Sequence, residues 1–346
     1  MADTVENTNT RLNSIKKCRL RTNYAIRKAL NLPLVNLVVR NVIKTVKCIV
    51  NKLSDKIRIS GVTTINLHGL SYKIYSKGDD MVHTRIFYDS SYTETDEIIF
   101  VSKLAPYLDV IIDVGANVGI FAIVSGLSNR NLQCICFEPH RPNAQRLEKN
   151  LRLNNLHERV TVVHGAVGDK TGKIEITVPS VDDIIDTASV NANWAKNFYS
   201  HKYQYTSLEV DLVSIDDYIK THNIGRVDFI KIDVETYEHA VLMGARKTIA
   251  RFRPVVMCEI FYFVSTIRQI ERFFHEMEYT FWAIGSRMMM QVENIRSIPE
   301  GKNYVFLPFE FSSCEKHDNY NAILFNEKCI SSLGTAVRNR KSNFSP

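Results

Sequence analysis

VIIDVGANVGIFAIVSG, residues 110–126, decides how this chain is read. It opens on a β-branched apolar run, Val110, Ile111 and Ile112, the composition of a parallel strand buried on both faces. Asp113 and a small-residue turn containing Gly115, Ala116, Asn117 and Gly119 follow. Ile120, Phe121, Ile123 and Val124 then resume at helical spacing. Strand, glycine turn and helix in that order open a doubly wound α/β sheet, whose ligands sit outside the carboxyl ends of the strands. Gly115 and Gly119 are expected to let the backbone approach a ligand closely, beside the unpaired N–H groups of a helix start.

Two familiar ligands fit this turn poorly. A nicotinamide or flavin dinucleotide site wants G-x-G-x-x-G, and Asn117 stands where the second glycine belongs. A nucleoside triphosphate loop ends in G-K-[ST], and no lysine follows Gly119.

Downstream, the sheet continues. Residues 133–138 form an apolar strand ending in Glu138, whose two oxygens suit the vicinal hydroxyls of a ribose. The competing reading is a surface glutamate before Pro139. Residues 142–154 read as a helix, 160–163 as a third strand, and 173–178 and 207–213 as hairpin strands. Between them, residues 179–206 are polar and carry an acidic cluster at 182–186; this is a substrate lid or a disordered loop, and its acids a solvated face. VDFIKIDV at 227–234 is the fourth central strand, bringing Asp233 and then Glu235 to its carboxyl end. A helix over 238–250, a strand at 254–260, a helix at 267–277 and edge strands at 279–284 and 304–309 complete the pattern. Asp113, Glu138 and Asp233 therefore project at one edge of one parallel sheet, which favours a ligand crevice over three solvated charges.

Upstream, short strands at 64–67 and 72–75 and a helix at 95–104 lead into this domain. The net charge of +7 hides an asymmetry: residues 1–60 hold 13 Lys/Arg against three Asp/Glu, and the rest of the chain is slightly acidic. From Leu34 to Val50 apolar residues recur every three or four positions, with Arg40, Lys44 and Lys47 opposite. Such a basic amphipathic helix packs on the domain or a second subunit, or lies against anionic lipid. Nucleic acid ranks last, because no aromatic platform is interleaved with the charges. No apolar run is long enough to span a membrane. The opening MADTVENTNT is polar, unlike a secretory leader. Seven scattered cysteines, with Cys134 and Cys136 on one strand face, fit reduced thiols in a cytoplasmic protein. A three-part chain is expected: a basic helical extension at 1–60, a main domain at 61–310, and a C-terminal extension at 311–346 with a mobile tail from Gly334.

IIDVGANVGIFA, CFEPH, NLRLNNL, GAVGDKTGKIEI, VDLVSIDDYI, DFIKIDVETYEHAVLMGARKTI and PVVMCEI, in that order over residues 101–308, resemble FkbM-type S-adenosylmethionine-dependent methyltransferases. The resemblance implies a class I methyltransferase, Rossmann-like sheet of seven strands with helices on both faces, the last strand antiparallel. It implies S-adenosylmethionine as cofactor. Asp113, Gly115, Ala116, Asn117 and Gly119 then belong to the loop around its methionine portion, Glu138 to the ribose, and Ala166 and Val167 to the adenine. Asp233 matches the strand-end acid of the family's KIDVEG motif. The sequence departs from that motif at Thr236, where the family commonly has glycine.

A hydroxyl of a sugar, glycan or natural product is the implied acceptor, and its proton needs a base. Asp233, Glu235 and Glu238 are the candidates, with helix capping the alternative for Glu238. His140 and His239 are read as surface or packing residues, and no metal constellation is visible. An N-terminal basic helix would suit an enzyme acting on a lipid-linked glycan at the inner membrane face. Rival readings are a methyltransferase-fold scaffold without activity, and methylation of nucleic acid or protein. The slightly acidic core and the lack of an N/D-P-P-Y signature weigh against the latter pair.

Overall fold

The computed structural model describes Val38 and residues 58–78, 81–88, 95–179, 205–260, 264–285, 287–295, 303–313, 322–324 and 326–339. The amphipathic stretch at 34–50, Val38 apart, and the acidic loop at 180–204 lie outside the described residues.

The first element is a hairpin of β1 (Ser60–Leu67) and β2 (Leu70–Lys77), paired in register from Ser60 opposite Lys77 to Leu67 opposite Leu70. Its two-residue turn, His68 and Gly69, has positive φ at both positions, the conformation whose twist matches that of paired strands. Every second residue is buried (Ile65 and Leu67; Tyr72 and Ile74), so the hairpin lays one face on the body of the protein. Two helices follow, α1 (Met81–Tyr88) and α2 (Thr95–Leu104).

The main domain alternates strand and helix: β3 (Val110–Val114), α3 (Ile120–Ser128), β4 (Gln133–Phe137), α4 (Arg141–Leu153) and β5 (Val160–Val163). A small sheet interrupts it, formed by β6 (Ala166–Val167), β7 (Gly172–Pro179) and β8 (Tyr205–Val213), with β8 central. Alternation resumes with α5 (Ile215–Thr221), β9 (Phe229–Ile232), α6 (Glu238–Gly244), α7 (Arg246–Phe252), β10 (Val255–Glu259) and α8 (Val264–Glu276). The chain closes with β11 (Tyr279–Gly285), β12 (Met288–Val292), β13 (Asn303–Pro308), β14 (Ala322–Leu324) and α9 (Glu327–Asn339).

The large sheet runs β14-β12-β11-β13-β10-β9-β3-β4-β5. From β10 to β5 every pairing is parallel, and β13 enters antiparallel between β10 and β11. Seven of these strands are the expected set; β12 and β14 extend the edge, so among the described residues the sheet has nine strands rather than seven. The period of two along each strand feeds two cores. Ile111, Cys134 and Phe229 face the hairpin, α2, α3 and α4, whereas Ile112, Ile135 and Ile230 face α5 to α8. Cys134 and Cys136 do share a face, their sulfurs 3.7 Å apart and unbridged.

Chain order leaves β3 in two directions, to β4 and β5 on one side and to β9 and β10 on the other. That reversal opens a crevice at the carboxyl ends of β3, β4 and β9. At the opposite ends, the buried Asp228 carboxylate accepts from the N–H groups of Asp109 (2.6 Å) and Val110 (2.9 Å) and from Arg226 Nε (2.6 Å). This sets the register of the two strands.

Two further expectations are corrected. The helix expected over 238–250 is two short ones, broken at Ala245, which serves as C-cap of α6 and N-cap of α7. The tail expected from Gly334 is helical as far as Asn339, because Leu333, Gly334 and Val337 bury against the domain, Gly334 under the ring of Tyr107. Among the described residues no helix is long and apolar enough to cross a membrane, and no three His, Cys, Asp or Glu side chains are grouped to hold a metal.

Candidate functional site

At the end of β3 the chain turns over the end of β4. The N–H groups of Gly115 and Ala116 both donate to the Phe137 carbonyl at 3.0 Å, and Gly119 N–H donates back to Ala116 O at 2.9 Å. Gly115, Asn117 and Gly119 have φ of 77°, 50° and 94°. A Cβ on Gly115 would overlap the backbone carbonyl oxygen of Asp233, and one on Gly119 would overlap Leu147 Cδ1. The glycines thus serve the approach of β3 to β9 and of the turn to α4, in addition to the left-handed backbone.

Three acids meet at this edge. Asp113 is 1% exposed, and neither of its carboxylate oxygens accepts a hydrogen bond. Glu138 is 4% exposed; Oε2 accepts from Asn117 N–H (2.8 Å) and Oε1 from His140 N–H (2.9 Å). One carboxylate therefore clasps the glycine turn to the start of α4, with a lone pair on each oxygen to spare. Burial raises the Glu138 carboxyl to about 7 against the opposing pull of those two amides. Asp233, just past β9, is 30% exposed at its side chain and lies nearest solvent.

Between them stands a cation that sequence reasoning left out. Lys231 is buried in β9 with Nζ 3.1 Å from Asp233 Oδ2, 3.5 Å from Asp113 Oδ1 and 3.4 Å from the Gly115 carbonyl, and over the Phe121 ring at 4.7 Å. Burial works against its charge, but Asp233 and Asp113 outweigh burial and hold the ammonium above its ordinary range. Burial likewise raises Asp113, Lys231 pulls it back, and Asp233 adds to the rise. The signal for Lys231 was present: a lysine in the otherwise apolar FIKI strand, two residues before Asp233, shares its face and cannot stay buried without anionic partners.

Beyond Asp233 the backbone is strained. Glu235 and Thr236 have φ of 54° and 82°, a region a β-branched residue rarely adopts. Glu238 Oε1 accepts from Thr236 N–H at 2.8 Å, so this carboxylate caps the turn. Its own burial raises it to about 7. Thr236 also buries a hydroxyl with no hydrogen-bond partner. Thr236→Gly is expected to stabilise the protein by about 1 kcal/mol, the relief of strain exceeding the entropy lost at a glycine. Urea unfolding measures this; a lower midpoint for the variant would mean the turn is unstrained.

The structure brings together Asp113, Gly115, Ala116, Asn117, Gly119, Glu138 and Asp233, with Glu235 and Glu238 on the adjoining turn. Ala166 and Val167 are buried in β6, just past β5, whose Val163 carbonyl accepts from Glu138 N–H at 3.1 Å. No hydrogen bond or ion pair among the described residues joins them to the acids. His140 is N-cap of α4, and His239 lies in the first turn of α6, its basicity lowered by burial.

Residues 113–281 match the model of the methyltransferase FkbM domain, just under half of the chain. No curated protein matches. Among solved structures the chain is similar to the methyltransferase FkbM from Methylobacillus flagellatus KT, at 18% identity over 58% of this chain and 44% of that one, with a TM-score of 0.39. It is similar to an O-methyltransferase from Bacillus cereus in complex with SAH, at 12% identity over 62% of this chain and 79% of that one, with a TM-score of 0.35. A third is a putative SAM-dependent methyltransferase from Streptococcus mutans, at 11% identity over 72% of this chain and 55% of that one, with a TM-score of 0.39. The chain thus spans less than half the length of the Methylobacillus protein.

Proposed function

We infer, from the match of residues 113–281 to the methyltransferase FkbM domain, that the chain transfers a methyl group from S-adenosylmethionine to a hydroxyl oxygen of a sugar, glycan or natural product. The observation that carries this is the meeting of Asp113, Glu138 and Asp233 at the carboxyl ends of three adjacent strands.

The residues fit the cofactor by their chemistry. Asp113 offers two buried oxygens that accept no hydrogen bond, Asn117 a buried Oδ1 in the same condition, and Glu138 one spare lone pair per oxygen. A site of acceptors suits a molecule that brings an ammonium, a sulfonium and a vicinal diol. When bound, S-adenosylmethionine supplies a methyl group already activated by positive sulfur.

The chain's own tasks are to hold, align and accept a proton. Glu138 holds the diol while pinning the glycine turn. Lys231 holds Asp113 and Asp233 in place by ion pairing with both, so that this edge needs no rearrangement as charge shifts. Asp233, Glu235 and Glu238 line the turn on the acceptor side. A hydroxyl that gives up its proton as it is methylated finds in them carboxylates of differing exposure, Asp233 open to solvent and Glu238 buried. What supports a neutral hydroxyl acceptor over an anionic one is this concentration of carboxylates, whose neighbouring cation Lys231 is occupied by Asp113 and Asp233.

Calorimetric titration with S-adenosylhomocysteine tests the reading. Wild type is expected to bind, and Glu138→Ala to bind about 10- to 100-fold more weakly, the loss of charged hydrogen bonds. Because the carboxylate and not the acid accepts both diol protons, wild-type affinity is expected to rise with pH through about 7. Folded wild type that fails to bind would return the chain to the scaffold reading.

A further inference from the structure

Asn150 lies on α4, wholly buried, between two segments far apart in sequence. Its Oδ1 accepts from Tyr75 N–H of β2 at 2.8 Å, and its Nδ2 donates to the Val118 carbonyl of the glycine turn at 2.9 Å. The partners dictate which amide atom is which, since an N–H needs an acceptor and a carbonyl needs a donor. One helical turn on, Asn154 Oδ1 accepts from Lys73 N–H at 2.8 Å and Nδ2 donates to Lys73 O at 2.7 Å. Lys73 and Tyr75 alternate along the free edge of β2, so α4 completes that edge with side-chain amides where a third strand would otherwise pair.

Of the two asparagines, Asn150 also reaches the turn. The Val118 carbonyl and the Gly119 N–H belong to one planar peptide unit. Asn150 holds the oxygen and the Ala116 carbonyl holds the N–H at 2.9 Å, so the unit is clamped at both ends just where Gly119 leads into α3. A buried carbonyl at such an irregular point has no helix or sheet partner of its own.

We propose that Asn150 is a positioning residue for the cofactor turn, and that through it the β1–β2 hairpin, which precedes the FkbM match, is part of the cofactor site. This rests on the turn's being the cofactor turn. Removing the clamp frees the 118–119 peptide to rotate, and with it the start of α3 and the Asn117 amide that Glu138 holds.

Two variants separate the bond to the turn from the bonds to the β2 edge. Asn150→Asp, at a pH where the new carboxyl is ionised, keeps the acceptor for Tyr75 and removes the donor to Val118; Asn154→Ala opens the β2 edge at Lys73 and leaves the turn bonded. In ligand-free protein, Asn150→Asp is expected to speed amide exchange at Gly119 about tenfold and to weaken S-adenosylhomocysteine binding about tenfold. Asn154→Ala is expected to speed exchange at Lys73, with Gly119 and affinity unchanged. Unchanged exchange at Gly119 or unchanged affinity in Asn150→Asp overturns the proposal, as does an equal loss of affinity in Asn154→Ala. Should Asn150→Asp fail to fold, Asn150→Ser, which removes both bonds without a new charge, is compared with Asn154→Ala in its place. Wild type that does not bind would defeat the cofactor reading instead, and exchange at Gly119 would then decide alone whether Asn150 holds the turn.

Discussion

Lys231→Met is expected to cost the protein about 3 kcal/mol of stability and to abolish S-adenosylhomocysteine binding at neutral pH. Removing one partner of a buried ion pair leaves the other charge without compensation, which costs about 3–5 kcal/mol when both are enclosed. Here Asp113 is enclosed and Asp233 reaches solvent, so the lower end applies. The Gly115 carbonyl loses its Nζ contact as well, and the turn loses a tie to β9. With the ammonium gone, burial and the neighbouring Asp233 both drive Asp113 toward its protonated form, which presents a donor where the cofactor needs an acceptor. Urea unfolding of a double-mutant cycle with Asp113→Asn is the measurement. The double variant should recover most of the stability lost in Lys231→Met without recovering binding. Purely additive losses would mean that Lys231 and Asp113 do not depend on each other.

Gly115→Ala is expected to be more damaging still, at more than about 4 kcal/mol or an unfolded site. The new methyl group would overlap the Asp233 carbonyl, and the residue bearing it has little room to move, because Asp233 N–H on the preceding peptide is bonded to Val114 O at 3.0 Å beside the β3–β9 pairing. Positive φ adds about 1–2 kcal/mol for a residue with a Cβ. Gly119→Ala meets the same backbone penalty, but its obstacle is the far end of the Leu147 side chain, which can change rotamer. Thermal melts and calorimetry of the two variants should therefore rank Gly115→Ala as the worse. An equal or reversed ranking would show that conformation, and not the strand approach, sets the need for glycine.

The sheet and its acid-bearing edge were legible in sequence because both rest on local patterns. A β-branched run buried on both faces, a glycine turn and a helical period define β3, the turn and α3, and the same logic located β4, β5, β9 and β10. Asp113, Glu138 and Asp233 could be placed together because a parallel sheet brings every carboxyl end to one edge. The added strands β12 and β14 were not legible, being short edge segments whose pairing depends on long-range docking, with only three residues in β14. Nor was the break at Ala245 or the docking of α9, since both turn on what a helix packs against.

By itself the sequence determined the fold class, the family resemblance and the identity of the acids, because composition and periodicity act over a few residues. Tertiary structure alone decided what those acids do to one another. Lys231 becomes the shared counterion of Asp113 and Asp233 only when β3 and β9 lie side by side, and burial moves Glu138 and Glu238 toward neutrality only once their strands and helices close over them. Asn150 joins the hairpin to the glycine turn by the same kind of cause: hydrogen bonds of about 3 Å span positions 75, 118 and 150, a contact that no local pattern in the chain encodes.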